Sequence, residues 1–412
     1  MAQTTATGTT LARPAGQVAR SRLQSPYAVT ALVGLLYLGL LAWLWQHFHG
    51  DPLGFVHIGT IWHDHNPAGT WGYDGQFYYY TAVYPSHAAD FMDLPAIRLQ
   101  RIFFPLIIFV FALGQDALVP YVIPVLNWLA VVGGTLLVAL LLQRWGRSPW
   151  FALSYALASG IPVALTFDTA EPLTFALVAL GVLLWEYHRP AEAADRPTGP
   201  APRRALLAAG LTFAAALLTR ELAAYFVAAY AAASVLRRDW RGFLVAALAF
   251  VPVTLWGLYL SASLHTLSVS QVQPFEHIPF ITYWIQGNLV DPQWRSAGYA
   301  AQYIVPAFVF GVLGLAYFAR PFVAWLRTRT WQPPSPLLIA VLGNVHLMTF
   351  LPRLGYQHQV AVSRYALGLA LAAVLWAGAA RPRWLLWLTP LCALSILAYL
   401  YGLVTQDPAY LW

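Results

Sequence analysis

Lysine is absent from this chain of 412 residues, so all 23 of its basic side chains are arginine. Without lysine there is no GxxxxGK phosphate loop, and neither HExxH nor GxSxG occurs. ATP-driven transport and the commonest hydrolase designs therefore have no sequence basis. Cysteine is reduced to Cys392, in an apolar run. That excludes intramolecular disulfides, and cysteine metal clusters with them. Charge is scarce too: 9% of the residues are charged, against roughly 25% in soluble domains. With 59% hydrophobic residues, the chain reads as an integral membrane protein. Its net charge of +7 is not a nucleic-acid signal, because the charges are sorted by side. If the N-terminus is cytoplasmic, 17 of the 23 arginines fall inside and 12 of the 16 acidic residues fall outside, the positive-inside bias.

What is present is a succession of apolar runs near the roughly 20 residues that span a hydrocarbon core. A polar tail, 1–26, carries Arg13, Arg20 and Arg22 and precedes a first run read as a retained signal anchor. Spans that satisfy the charge sorting fall at about 27–46, 117–142, 150–166, 171–187, 205–219, 222–236, 242–262, 301–319, 337–351, 364–380 and 384–404. The expectation is an all-α, polytopic fold of about eleven transmembrane helices, with 27–412 as a single domain. Ile102–Leu113 is too short to cross, reaching about 18 Å at ~1.5 Å per residue, and is read as a half-buried juxtamembrane helix. It belongs to the first external loop, 47–116, and a second long external loop covers 263–300. Both loops are rich in Tyr, Trp and His, most of which suit an interfacial aromatic belt. The inward segment Arg189–Arg204, with four prolines, reads as a solvated linker. No internal repeat is visible, which weakens a transporter built from inverted repeats.

Polar residues gather at the outer ends of these runs: Asp74; Asp168 and Glu171; Arg220 and Glu221; Glu276 and His277; Arg353, His358 and Arg364. Charges at membrane depth are costly, so they are paired or functional. Structural ion pairs at the interface are the plain alternative for any one of them. Asp74 stands out within Gly72-Tyr73-Asp74-Gly75-Gln76-Phe77-Tyr78. The flanking glycines allow a tight turn that presents the carboxylate, and Gln76 with the tyrosines supplies hydrogen-bonding and stacking surface for a sugar. A carboxylate there can act as general base; the alternative is a turn aspartate capping the following helix. His63-Asp64-His65 would turn both imidazoles to one face if extended, which admits a divalent ion. The plain reading of that segment is a solvated loop. His346, the one ionisable group placed mid-span, is expected to be packed and hydrogen-bonded.

Trp71–Tyr78, with Arg101-Ile102-Phe103-Phe104-Pro105-Leu106 downstream, resembles the acidic first-loop motif and aromatic-Pro-Leu segment of the GPI mannosyltransferase II-like (PIG-V-like) branch of GT-C glycosyltransferases. Asp168–Leu173 is similar to that branch's acidic segment opening a span, and Ser363-Arg364-Tyr365 to its late Arg-Tyr element, with Gly368 and Ala370 in place of a nearby proline. The chain also resembles bacterial membrane proteins with a GYDGQFYY segment. The resemblance implies a plasma-membrane enzyme with an external site that moves a sugar from a polyprenyl-phosphate donor to a glycan, lipid or protein acceptor. It implies Asp74 as the base. Arg220 and Arg364 are then phosphate clamps, since arginine's planar fork suits phosphate, and Asp168 and Glu171 acceptor or orienting groups. Tyr73, Gln76, Tyr78, Arg101, Glu221, His277 and Tyr365 complete the expected substrate-binding set, with no metal assigned. A transporter or flippase of a lipid-linked glycan is the rival; it would place its charges at the bilayer midplane.

Overall fold

Ser25 and Pro26 open the first long helix. The Ser25 hydroxyl accepts from the Tyr27 N–H at 3.3 Å and the proline ring presets φ at the first position. A computed structural model describes residues 24–188, 203–267, 270, 274–280, 294–329, 332–351 and 359–405. Among these there are helices and turns and no strand. The main helices are α1 (Pro26–His47), α2 (Gly75–Val83), α3 (Phe103–Phe111), α4 (Val119–Arg144), α5 (Gly160–Thr166), α6 (Glu171–His188) and α7 (Arg203–Thr219). They continue with α8 (Ala224–Leu236), α9 (Trp240–Leu248), α10 (Phe250–Leu264), α11 (Trp294–Thr328), α12 (Pro336–Thr349), α13 (Gln359–Ala379) and α14 (Ile396–Thr405).

Two packed groups meet in one core. In the first, α6 lies between α4 and α7, and α1 lies on α4; in the second, α12 packs on α8, α11 and α13. Helix α13 joins them by lying on α5, and it is buried along most of its length. Small residues set the approach: a Cβ at Gly160 would come within 2.5 Å of the Ser363 carbonyl, and one at Gly368 within 2.4 Å of Asn344 Oδ1. Gly368 thus lets α13 close on α12, where a larger residue would hold them apart. At one end of the bundle Arg147 donates to the carbonyls of Gly378, at 3.1 Å, and Ala380, at 2.5 Å, satisfying the last turn of α13. Outward, α1 presents Leu32, Leu35, Leu36 and Leu38, and α10 presents Leu255, Leu258 and Tyr259. Unpartnered apolar stripes of this kind suit a lipid surround.

Among the described residues, five helical segments are long and apolar enough to cross a membrane: Pro26–His47, Asp116–Arg144, Trp240–Leu264, Gln302–Thr328 and Val360–Ala379. A sixth crosses if Pro149–Ala156 and Gly160–Thr166, bent by 55°, count as one. The eleven full spans expected from hydropathy are therefore not all present as continuous helices. The run at 384–404 divides into Arg383–Leu388, Pro390–Ala393 and α14, with Pro390 at a boundary it cannot bridge by hydrogen bonding. Helices α8 and α12 and the segment Arg204–Thr219 are apolar but short. Residues 102–113 do form the short helix α3, with Phe104 and Ile108 buried and Phe109, Val110 and Phe111 exposed.

Candidate active site

Two glycines shape the loop that carries Asp74. Gly72 has φ +65°, and a Cβ there would meet Gly59 N and the His57 carbonyl, both at 2.4 Å. At Gly75 a Cβ would meet the Phe167 carbonyl at 2.4 Å, so glycine lets the start of α2 lie against the α5–α6 turn. Asp168 occupies that turn with φ +48°, a left-handed residue closing α5. The Asp74 side chain makes no capping hydrogen bond to α2. Its carboxylate turns instead to arginine.

Asp74 Oδ1 pairs with Arg98 Nη1 at 2.9 Å, and Oδ2 accepts from Arg364 Nη1 at 2.7 Å with Arg101 Nη1 at 3.9 Å. Each arginine also has a second acidic partner. Arg98 forks onto Asp93 through two bonds of 2.9 Å, and Arg101 onto Glu221 at 3.0 and 2.8 Å. Arg364 Nε donates to Glu171 Oε1, the oxygen that Arg220 Nη1 also approaches, at 2.5 Å. Glu171 is the first residue of α6, where the helix dipole favours a carboxylate. Burial acts to raise the Asp74 carboxyl, but Arg98, Arg364 and Arg101 outweigh it and hold it well below the ordinary carboxylate range. The centre is graded in depth: Glu171 and Arg220 are at its floor, Arg101 and Arg364 are nearly buried, and the Asp74 side chain keeps 19% of its surface. At the floor the pairing is incomplete, for Glu171 Oε2, Arg220 Nε and Arg364 Nη2 are buried without a hydrogen-bond partner.

All of these groups stand at one end of the bundle. Glu171 begins α6, Arg220 follows α7, Arg101 precedes α3, and Arg364 lies in the second turn of α13. Trp256 Nε1 on α10 steadies the Arg98–Arg101 segment by donating to the Leu99 carbonyl at 2.8 Å. Below Arg101 and Glu171, the same helices α3 and α6, with α4, enclose an apolar groove of about 290 Å³ lined by Ile107, Phe111, Leu126, Leu173 and Leu177. A charged head and an apolar groove are thus built on shared elements.

The structure places the other expected residues unevenly. Tyr73 touches the centre, its hydroxyl accepting from Arg364 at 3.2 Å while burial pushes its phenol up to about 12. Gln76 is a strut and not a free sugar contact: its Oε1 accepts from Gly59 N and its Nε2 donates to the Trp71 carbonyl, each at 2.9 Å. Tyr78 is buried edge-on to Phe104. Asp168 is fully buried with neither oxygen hydrogen-bonded, and burial pushes its carboxyl well above the usual range despite nearby Asn127. So enclosed, Asp168 has no exposed surface with which to touch an acceptor. Tyr365 packs half-buried against the core and His277 is exposed on the second long loop, neither of them in contact with the carboxylates. Arg353 and His358 lie outside the described residues.

Two histidine expectations change. His63 ends a short helix, Thr60–His63, and stacks on Tyr80, whereas His65 stacks on Phe91. The segment is not extended, so the imidazoles do not share a face, and among the described residues no group of three or more His, Cys, Asp or Glu is arranged to hold a metal. His346 is exposed in the last turn of α12, its ring flanked by Phe275 and Phe350.

Sequence reasoning passed over Arg98 and Asp93. The signal was available: Arg98, Arg101, Arg220 and Arg364 are four of the six arginines that the charge sorting leaves on the outward side. Comparison with family models, curated proteins and solved structures finds no match to this chain.

Proposed function

We propose that the chain is a GT-C-like membrane glycosyltransferase with about eleven spans, moving a sugar from a polyprenyl-phosphate carrier to an acceptor on the outer face. The observation that carries this reading is the Asp74 centre, where three guanidiniums, Arg98 and Arg101 from the first loop and Arg364 from α13, surround one partly exposed carboxylate at the head of an apolar groove. The sequence resemblance around Asp74, Asp168 and Arg364 supports it, as does the position of the charges at helix ends and not mid-helix, where a transporter would need them. Helices too short to cross alone complete their spans with irregular backbone, which is tolerated at membrane depth when buried in protein.

In this mechanism the acceptor hydroxyl oxygen attacks the anomeric carbon. The bond from that carbon to the phosphate oxygen breaks with its electron pair on the phosphate, and the hydroxyl proton passes to Asp74. Arg98, Arg101 and Arg364 hold the phosphate, and Arg220 supports Arg364 from below through Glu171. A carboxylate gripped by arginines is a poor base, since general-base efficiency falls as the pKa drops far below the working pH. Donor binding resolves this: the phosphate draws the guanidiniums off Asp74 and restores its basicity only when a donor is present.

Arg101→Lys keeps the charge but loses the two-pronged geometry. We expect it to weaken polyprenyl-phosphate binding at least tenfold, ~1.4 kcal/mol, with little change in melting temperature; unchanged affinity would remove Arg101 from the phosphate site. The lipid donor also requires an external first loop. Reporter fusions after residues 80 and 285 should therefore be external, and those after 195 and 325 cytoplasmic. A cytoplasmic residue 80 would put Asp74 among nucleotide sugars and end the argument for a lipid donor.

A further inference from the structure

The first long loop contains a second concavity that the transfer chemistry does not use. A cavity of about 720 Å³ is lined by His47, Phe48, Asp51, His57, Thr70 and Trp71, and reaches Gly72, next to the Asp74 turn. Its volume falls in the range of small-molecule sites, ~300–1,000 Å³. The walls are built and not incidental. A Cβ at Gly54 would meet the Phe48 ring at 2.4 Å, and the Trp71 carbonyl is tied to Gln76. His57 Nε2–H donates to the Thr166 carbonyl at 3.0 Å, which leaves Nδ1 as an acceptor. Burial pushes His57 down to about 4, so the ring is neutral at physiological pH. Asp51 caps Leu53 N through Oδ1 at 2.9 Å and stays exposed, and Trp71 presents 68% of its surface.

This lining chooses among ligands by what it combines. Flat aromatic faces, neutral and anionic acceptors and a threonine hydroxyl suit a ring that is apolar on its C–H face and ringed with hydroxyl donors. Among the described residues no arginine lines the cavity, although four arginines stand in the neighbouring centre, so a phosphate has no reason to prefer it. A chain of tilted ring contacts joins the two: His57 lies 4.6 Å from Phe167, and Phe167 lies 4.6 Å from Tyr73, whose hydroxyl contacts Arg364.

We infer that this cavity binds a neutral carbohydrate, a hexose or disaccharide unit, and serves as the acceptor subsite beside Asp74. Only the role as acceptor subsite rests on the transferase reading; the sugar site stands on its own lining. The test is equilibrium binding of maltose, cellobiose and mannobiose to the full-length protein in lipid nanodiscs, with no donor added. At least one of the three should bind. Trp71→Ala should weaken that binding at least tenfold, Asp51→Asn at least threefold, and Trp71→Phe should recover most of the affinity, showing that the ring and not the fold was lost. Absence of binding by all three sugars overturns the inference, as does binding that neither Trp71→Ala nor Asp51→Asn weakens. Sugar binding that persists in a protein unable to bind polyprenyl phosphate would sink the transferase reading alone and leave the sugar site intact.

Discussion

Glu171→Ala should leave little or no folded protein. Glu171 is fully buried and lies between Arg220 and Arg364, both also buried. Removing the carboxylate strands the Arg220 guanidinium in a low-dielectric floor, with Glu221 at 3.9 Å as its nearest remaining anion, and leaves Arg364 to Asp74 alone. Breaking a buried pair from one side costs ~3–5 kcal/mol, a large share of the ~5–15 kcal/mol that separates folded from unfolded chains. Thermal unfolding in detergent is the measurement, and the expected result is a collapse of yield or a drop of many degrees. Arg220→Leu added to Glu171→Ala should recover part of the loss, because the pair couples and its joint removal leaves one fewer stranded charge. A single variant as stable as the parent would mean that Arg220 and Arg364 find other anions, and that the floor is not held by Glu171.

Asp74→Asn has the opposite profile. Arg98 keeps Asp93, Arg101 keeps Glu221 and Arg364 keeps Glu171, so no arginine is stranded and the fold should survive. Transfer should fall by ~10²-fold or more, the usual worth of a general base. Donor affinity should hold or rise, because the carboxylate that competes with phosphate for the arginines has lost its charge. A purely structural Asp74 predicts the reverse pattern: lower melting temperature, weaker donor binding, and a rate that falls only in proportion. Measuring affinity and single-turnover rate on the same preparation separates the two.

Asp74 and Arg364 were legible because each sits in a short pattern with turn or helix chemistry of its own. The glycines flanking Asp74 announced a close approach, and the structure supplies its cause in the backbone at Gly59 and Phe167. Arg98 was not legible by motif, since its role comes from folding a loop onto α2, over the ring of Phe77 at 4.4 Å. Its anomalous side in the charge sorting was the only clue. Gln76 illustrates the converse: an amide in an aromatic loop looks like a sugar ligand until both of its ends are seen to hold backbone. Helix positions followed hydropathy because burial and lipid contact both demand apolar residues. Helix continuity did not, because a proline such as Pro390 breaks hydrogen bonding with little change in hydropathy.

The most direct test of the account is single-turnover transfer by the purified protein in nanodiscs, given a polyprenyl-phosphate donor labelled in its sugar and an excess of oligosaccharide acceptor. The account predicts that labelled sugar appears on the acceptor while polyprenyl phosphate is released in equal amount, without added nucleotide. A donor that binds at the arginines yet returns intact across a panel of hexosyl and pentosyl carriers would contradict it.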